Sequence, residues 1–159
     1  MWAVSQGLAA AEEAGVPAEY FWLTDADIAH HPGELASLVA GSEHSGLDLN
    51  SLMVRLRIDR LWDVLLIPAF VFFFQKLYPF SWVNDPARKT AAAAGGSMLV
   101  RKSALARIGG IDVIAGELID DCALARRIKS SGGRIRLALA TETRSIRVYG
   151  TLAATWRMV

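Results

Sequence analysis

Cysteine is nearly absent from this sequence: Cys122 stands alone among 159 residues. No internal disulfide and no cysteine-rich zinc site can form, and such usage fits a reducing compartment, with the cytoplasm or a membrane's cytoplasmic face as the default. An excess of either charge is missing too. The formal net charge is +1, so no large field draws the chain toward nucleic acid or an acidic partner. No apolar run reaches the ~20 residues that cross a bilayer as a helix. The stretch after Met1, "WAVSQGLAAAEEAG", lacks the basic start and small-residue cleavage site of a signal peptide and reads as an amphipathic helix. Internal repeats and low-complexity linkers are absent as well.

What the chain does have is apolar content. It is 53% hydrophobic with a mean hydropathy of +0.30, rich for a soluble domain, so contact with lipid enters the reading. The length suits one domain, or a piece of one, that buries a real core.

Helical and extended patterns alternate along the chain. The opening helix stops at Gly15, and "VP" turns into a strand over Tyr20 to Thr24. "HPGELASLVAG" predicts a short helix ending near Gly41, "LDLNSLMVRLR" a strand, and "IDRLWDVLLIPAFVFFFQKLYPF" a long apolar segment. After "TAAAAGGSMLVRK", small residues leading into a strand, Ser103 is placed to cap the helix "ALARIGG". A helix then starts near Asp120 and runs to Gly132 and Gly133, "RIRLALA" and "RSIRVY" form strands, and "TLAATWRMV" begins a last helix. This alternation predicts an α/β sandwich around a mostly parallel sheet. Ligands of such sheets sit beyond the carboxyl ends of the strands.

One such end carries "YFWLTDADIAHHP". Residues two apart on an extended backbone share a side, so Asp25 and Asp27 can reach one cation, or one cation and a ribose hydroxyl. A hard divalent ion of the magnesium type uses one or two carboxylates together with substrate phosphates. The competing reading makes Asp27 a helix cap and Asp25 a solvated turn residue; spacing alone leaves both open. His30 and His31 are adjacent, which does not suit two ligands of one metal, and they read as loop or helix-start residues. His44 reads as an ordinary loop residue.

A second acidic pair, Asp120 and Asp121, opens the helix "DDCALARRIKS". Free amides and the helix dipole account for one carboxylate there. The other has no evident structural duty, and two adjacent carboxylates push one pKa toward what a general base needs. Cys122 beside them reads as a small packed residue, because no histidine accompanies it.

"LTDADI" with its following proline, then "AAAAGGSMLVRKSALARIGGID", then "IDDCALARRIKSSGGRI", in this order and spacing, resemble the inverting family 2 glycosyltransferases of GT-A fold. More narrowly, "LIPAFVFFFQKLYPFSWVNDP" beside "TAAAAGG" resembles the hopene-associated glycosyltransferases found next to bacterial hopanoid genes. The resemblance covers nearly the whole chain. It implies a three-layer GT-A sandwich with a mixed, mostly parallel sheet, and residues 1–159 as a partial catalytic domain. Family members begin with a strand and loop that read the nucleotide base, so the resemblance implies truncation at the N-terminal nucleotide-binding side. It also implies that Asp25 and Asp27 hold a divalent ion, magnesium or manganese, and the diphosphate of a nucleotide-sugar donor. By the same resemblance Asp121 is the base that deprotonates the acceptor, Asp120 its partner, and Gly95 and Gly96 the small-residue turn where the donor sugar approaches; a simple tight turn is the plainer reading of that glycine pair. The family's Gln-x-x-Arg-Trp is not matched: Trp156 and Arg157 come in reversed order, and its role is not carried over.

The apolar segment 64–80, with Pro68 inside and Asp63, Gln75 and Lys76 near its ends, is either a buried core helix or one lying in a membrane interface. Phe72, Phe73 and Phe74 point around a helix and cannot all face one core, which favours the interface. Arginines such as Arg126, Arg127, Arg134 and Arg136 read mostly as solvated faces, with anionic headgroups as the alternative. The resulting expectation is inverting sugar transfer to a lipid or polyprenoid, hopanoid-related acceptor, at the cytoplasmic face of a bacterial inner membrane, with no nucleic-acid partner. The alternative is a noncatalytic fragment or pseudoenzyme that binds membranes or partner chains through the same apolar surface.

Overall fold

A computed structural model describes residues 2–15 and 17–159. Among them the chain runs α1 (Trp2–Glu13), β1 (Tyr20–Thr24), β2 (Ile28–Ala29), α2 (Glu34–Ser45), β3 (Leu49–Arg55), α3 (Leu61–Leu77), α4 (Phe80–Val83), β4 (Ser97–Arg101), α5 (Lys102–Ile108), a 3-10 turn (Ile111–Ile114), α6 (Asp120–Ser130), β5 (Ile135–Ser145) and α7 (Leu152–Met158). The expected α/β class is what forms.

The five strands make one mixed sheet in the order β1-β4-β3-β5-β2. Its directions differ from the mostly parallel sheet expected: only β3 and β5 run parallel, while β1–β4, β3–β4 and β2–β5 are antiparallel. Alternation of helix and strand fixes direction only where each crossover is a single short helix. Here the connection from β3 to β4 carries both α3 and α4, and it delivers β4 running against both neighbours. The two closing strands expected from "RIRLALA" and "RSIRVY" are one strand, β5, with a register shift opposite Met53 and Arg55.

Period-two alternation divides β3 between two layers. Leu49 joins Val100, Ile135 and Leu137 in a core closed by Leu124 and Ile128 of α6 and Val83 of α4. Each such buried aliphatic side chain contributes about 2 kcal/mol. Asn50 faces the other way, where its Nδ2 donates to Leu38 O of α2 at 3.1 Å. The outer edge of β5 is met by Asn84, which donates to Leu137 O at 3.1 Å and accepts from Leu137 N at 2.7 Å, as a neighbouring strand would.

Two helix boundaries depart from expectation. The helix α2 continues through Gly41 and ends at Gly46, whose φ of 60° is the left-handed cap geometry that glycine adopts without strain. Ser103 does not cap α5, which grows directly out of β4 and has no side-chain cap; Arg101 N and Lys102 N donate instead to Asp48 O and Glu19 O. In α3, Ile67 is buried and Phe74 packs against the core, whereas Phe72 and Phe73 are exposed. Among the described residues no helix is long and apolar enough to cross a membrane.

Candidate active site

The direction of β4 assembles the site. Antiparallel pairing sets Thr24, the last residue of β1, opposite Ser97, the first of β4. Asp25 leaves β1 where Gly95 and Gly96 arrive at β4. On the far side, Ile28 pairs with Ser145, so the end of β5 reaches Asp27 as well. There Ile146 N donates to Asp27 O at 2.8 Å and Ser145 Oγ to Asp27 Oδ2 at 3.2 Å.

The two carboxylates are therefore gathered by a turn that follows the strand, not by the pleat of an extended segment. Neither is a helix cap, since α2 is preceded by Gly33 and has no side-chain cap. Asp25, Asp27, Gly95, Gly96 and Asp121 line one cavity of about 250 Å³. Asp120 lines a smaller neighbouring cavity of about 90 Å³, which also includes Asp25, Gly95 and Asp121. All six residues singled out in the sequence meet at this place.

Asp121 has more structural duty than expected. Its Oδ2 accepts from Gly95 N at 2.9 Å and its Oδ1 from Cys122 N at 2.6 Å, so it joins the start of α6 to the glycine turn. Asp120 Oδ1 accepts from Asp121 N at 2.9 Å. Burial is the largest influence on Asp121 and raises its pKa above the usual carboxylate range; the amides of Cys122 and Gly95 oppose this, and the charge of Asp120 adds to it. A carboxylate so placed can accept a proton. Asp25 is raised too, first by loss of solvent around its carboxyl, then by repulsion from Asp27 and Asp120, with Arg147 opposing. The Cys122 thiol, pushed up to about 11 chiefly by burial, is a packed residue as expected.

The glycines play unequal parts. A Cβ on Gly96 would stand 2.9 Å from Val54 Cγ2, so backbone and side chain approach there too closely for any other residue. A Cβ on Gly95 would meet only Asp121, at an ordinary 3.6 Å.

Among the described residues no group of three or more His, Cys, Asp or Glu side chains is arranged around a common point. Two carboxylates that repel one another, with phosphate oxygens to complete the shell, still suit a hard ion. Asp25 and Asp27 fit an ion that arrives with a phosphate ligand. The histidines do not join them. His31 Nδ1 accepts from Gly33 N, and its Nε2 lies 2.9 Å from Glu142.

His30 belongs to a network that sequence reasoning missed. Its Nδ1 donates to Glu34 Oε2 at 3.0 Å, and its Nε2 is 2.7 Å from Thr24 Oγ1. The buried Glu34 also accepts from Ser97 Oγ at 2.9 Å and from the Thr143 hydroxyl. Burial by itself would raise the Glu34 pKa, but the bonds from Thr143, His30 and Ser97 outweigh it and hold it low. One carboxylate thus ties together the ends of β1, β4 and β5, which carry the site. In sequence Glu34 is an unremarkable first-turn acid; only the polar run of Thr24, Ser97 and Thr143 at three strand ends hinted at it. Arg147, Tyr149 and the apolar wall of Met53, Val54, Leu56, Phe70 and Phe74 were also unforeseen cavity residues.

No curated protein matches the chain. The sequence model of Glycosyl transferase family 21 matches residues 5–157, nearly the whole chain. This family differs from the family 2 whose motifs the chain resembles, and the common ground between them is sugar transfer from a nucleotide-sugar donor to an acceptor. An α/β domain with a five-stranded mixed sheet is compatible with that activity. The chain belongs to Glycosyl transferase family 21.

Proposed function

We propose that the protein transfers a sugar, with inversion at the anomeric carbon, from a nucleotide-sugar donor to the hydroxyl of a lipid or polyprenoid acceptor. The observation that carries this reading is a single cavity whose lining is of two kinds. Asp25, Asp27 and Asp121 line it together with the apolar Met53, Val54, Leu56, Phe70 and Phe74. An apolar surface beside the acids gives an acyl or isoprenoid chain something to pack against.

Asp121 removes the acceptor proton as the acceptor oxygen attacks the anomeric carbon from the face opposite the diphosphate. The bond from that carbon to the diphosphate oxygen breaks, and its electron pair stays with the nucleoside diphosphate. The amides of Gly95 and Cys122 fix the Asp121 carboxylate in place, and its raised pKa makes it a better proton acceptor than an exposed aspartate. Asp25 and Asp27 would hold magnesium or manganese, which when bound neutralises charge on the diphosphate. Gly96 keeps the turn close to Val54, and Gly95 leaves the space beside Asp121 open to the sugar.

The acceptor class rests on a second surface. Between α3 and α7 runs an apolar groove of about 580 Å³ lined by Trp62, Leu65, Leu66, Leu152, Ala153, Trp156 and Arg157. Phe72, Phe73 and Leu77 continue the exposed apolar face of α3. Such a face suits the headgroup boundary of a bilayer, with the cationic Lys76 and Arg157 at its margins. Because Phe70 and Phe74 of the same helix wall the cavity, an acceptor rising from the bilayer along α3 would arrive beside Asp121. The sequence resemblance suggests a hopanoid-related acceptor and the cytoplasmic face of a bacterial membrane.

The test is a screen of sugar nucleotides against lipid extracts in vesicles with manganese, reading nucleoside diphosphate release. Release that requires both a lipid acceptor and the metal is expected. Turnover on water-soluble acceptors alone would remove the lipid assignment.

A further inference from the structure

The cavity of the candidate active site is acidic, yet it holds one cation. Against Asp25, Asp27 and Asp121 stands Arg147, its only basic residue among those described. The segment that carries it is fixed to the acidic turn. Ser145 Oγ donates to Asp27 Oδ2 at 3.2 Å and accepts from Arg147 N at 3.2 Å, while Ile146 N donates to Asp27 O at 2.8 Å. The backbone at Arg147 is therefore tied, through Ser145, to Asp27.

An exposed arginine beside three carboxylates ordinarily pairs with one. Arg147 makes no ion pair among the described residues. Its guanidinium lies 5.7 Å from the centre of the Tyr149 ring, which also lines the cavity. That ring holds the cation beside the acids without neutralising it. A planar guanidinium with free donors matches the oxygens of a phosphate better than any other side chain does.

We infer that Arg147, supported by Tyr149, is an anion subsite for the diphosphate of the donor, in the same cavity as the Asp25 and Asp27 carboxylates that would hold the metal. The inference rests on the proposed sugar-transfer function. When the bond between the anomeric carbon and the diphosphate oxygen breaks, the electron pair stays on that oxygen and adds a negative charge beside Arg147. Asp121 takes the acceptor proton. With its carboxylates ionised, a lining of three carboxylates and one arginine is net negative, so a divalent cation would assist entry of the diphosphate.

Inorganic pyrophosphate with manganese probes this without knowledge of the sugar or the base. Isothermal titration of the whole chain is run with the wild type, Arg147→Met, Arg147→Gln and Arg147→Lys, and manganese binding alone is followed by electron paramagnetic resonance. Arg147→Met and Arg147→Gln should weaken pyrophosphate about 10- to 100-fold, the loss of one charge-assisted contact. Manganese affinity should not fall in either, since Arg147 acts on Asp25 as a like charge to the metal, and Arg147→Lys should recover part of the loss. Wild-type affinity in both neutral variants would overturn the subsite while leaving the proposed function standing. If the wild type binds neither manganese nor pyrophosphate, the proposed function falls and the subsite with it. An exposed side chain such as Arg147 tolerates replacement without loss of fold, and equal melting temperatures verify this.

Discussion

Glu34 shows at the scale of one residue how the site is held. The carboxylate is buried, yet it lies in a ring of donors: His30, Ser97 and the Thr143 hydroxyl. Trp22 adds to the ring, donating to Ser97 Oγ at 3.1 Å and resting its indole 4.2 Å from the His30 imidazole. Replacing Glu34 with Gln keeps the volume and removes the charge, so the bonds lose their charge-assisted part, at a cost of roughly 2 kcal/mol at neutral pH. The sign of the pH dependence follows from the lowered pKa. Glu34 contributes stability above the pKa of an unfolded glutamate, and that stability is lost as pH falls through the depressed folded value. Thermal melts of the wild type should therefore exceed those of Glu34→Gln at pH 7 and approach them in acid. A difference that stays constant down to pH 3 would show that the charge of Glu34 is not what stabilises the fold. None of this was legible in "HPGELAS", because a glutamate in a first helical turn is ordinary; its burial depends on three strand ends that only the fold brings together.

At the scale of elements, α3 and α7 present the least ordinary surface of the molecule. They are joined through the buried Asp63, which accepts from Thr155 Oγ1 at 2.7 Å and from Arg60 N at 3.0 Å. Their apolar groove is nevertheless open, with Leu65 73% and Trp156 68% exposed. If this face meets lipid, the double replacement Leu65→Glu, Trp156→Glu should abolish co-sedimentation with anionic vesicles and leave the melting temperature nearly unchanged, since both side chains already face solvent. Undiminished pelleting of the double variant would assign the membrane contact elsewhere or remove it. The elements themselves were largely legible, because "YFWLT" opens with four apolar residues, "LDLNSLMVR" alternates, and "DDCALARRIKS" carries helical periodicity. Strand direction was not. It depends on how a connection as long as that from β3 to β4 returns, and periodicity contains no information on that.

At the scale of the whole molecule, the antiparallel β4 is what makes one site from distant segments. A parallel strand there would have put Gly95 and Gly96 at the opposite end of the sheet from Asp25. The six candidate residues, Asp25, Asp27, Gly95, Gly96, Asp120 and Asp121, were legible as motifs; the register between β1 and β4 brings Gly95 and Gly96 to Asp25, and the bond from Gly95 N to Asp121 draws in the start of α6. The apolar wall was not legible as part of the site, since Phe70 and Phe74 are two members of an aromatic run whose other faces point outward. The central claim is that the acidic groups of this cavity divide the labour, Asp121 acting on the proton and Asp27 on the donor. A base acts only in the transition state, so its loss costs rate and spares donor binding. The most direct measurement is single-turnover rate together with donor affinity for Asp121→Asn, Asp120→Asn and Asp27→Asn. Asp121→Asn should lose about 100- to 10,000-fold in rate with donor affinity nearly intact, Asp27→Asn should lose donor affinity itself, and Asp120→Asn should keep most turnover. An active Asp121→Asn beside an inactive Asp120→Asn would contradict the assignment of the base.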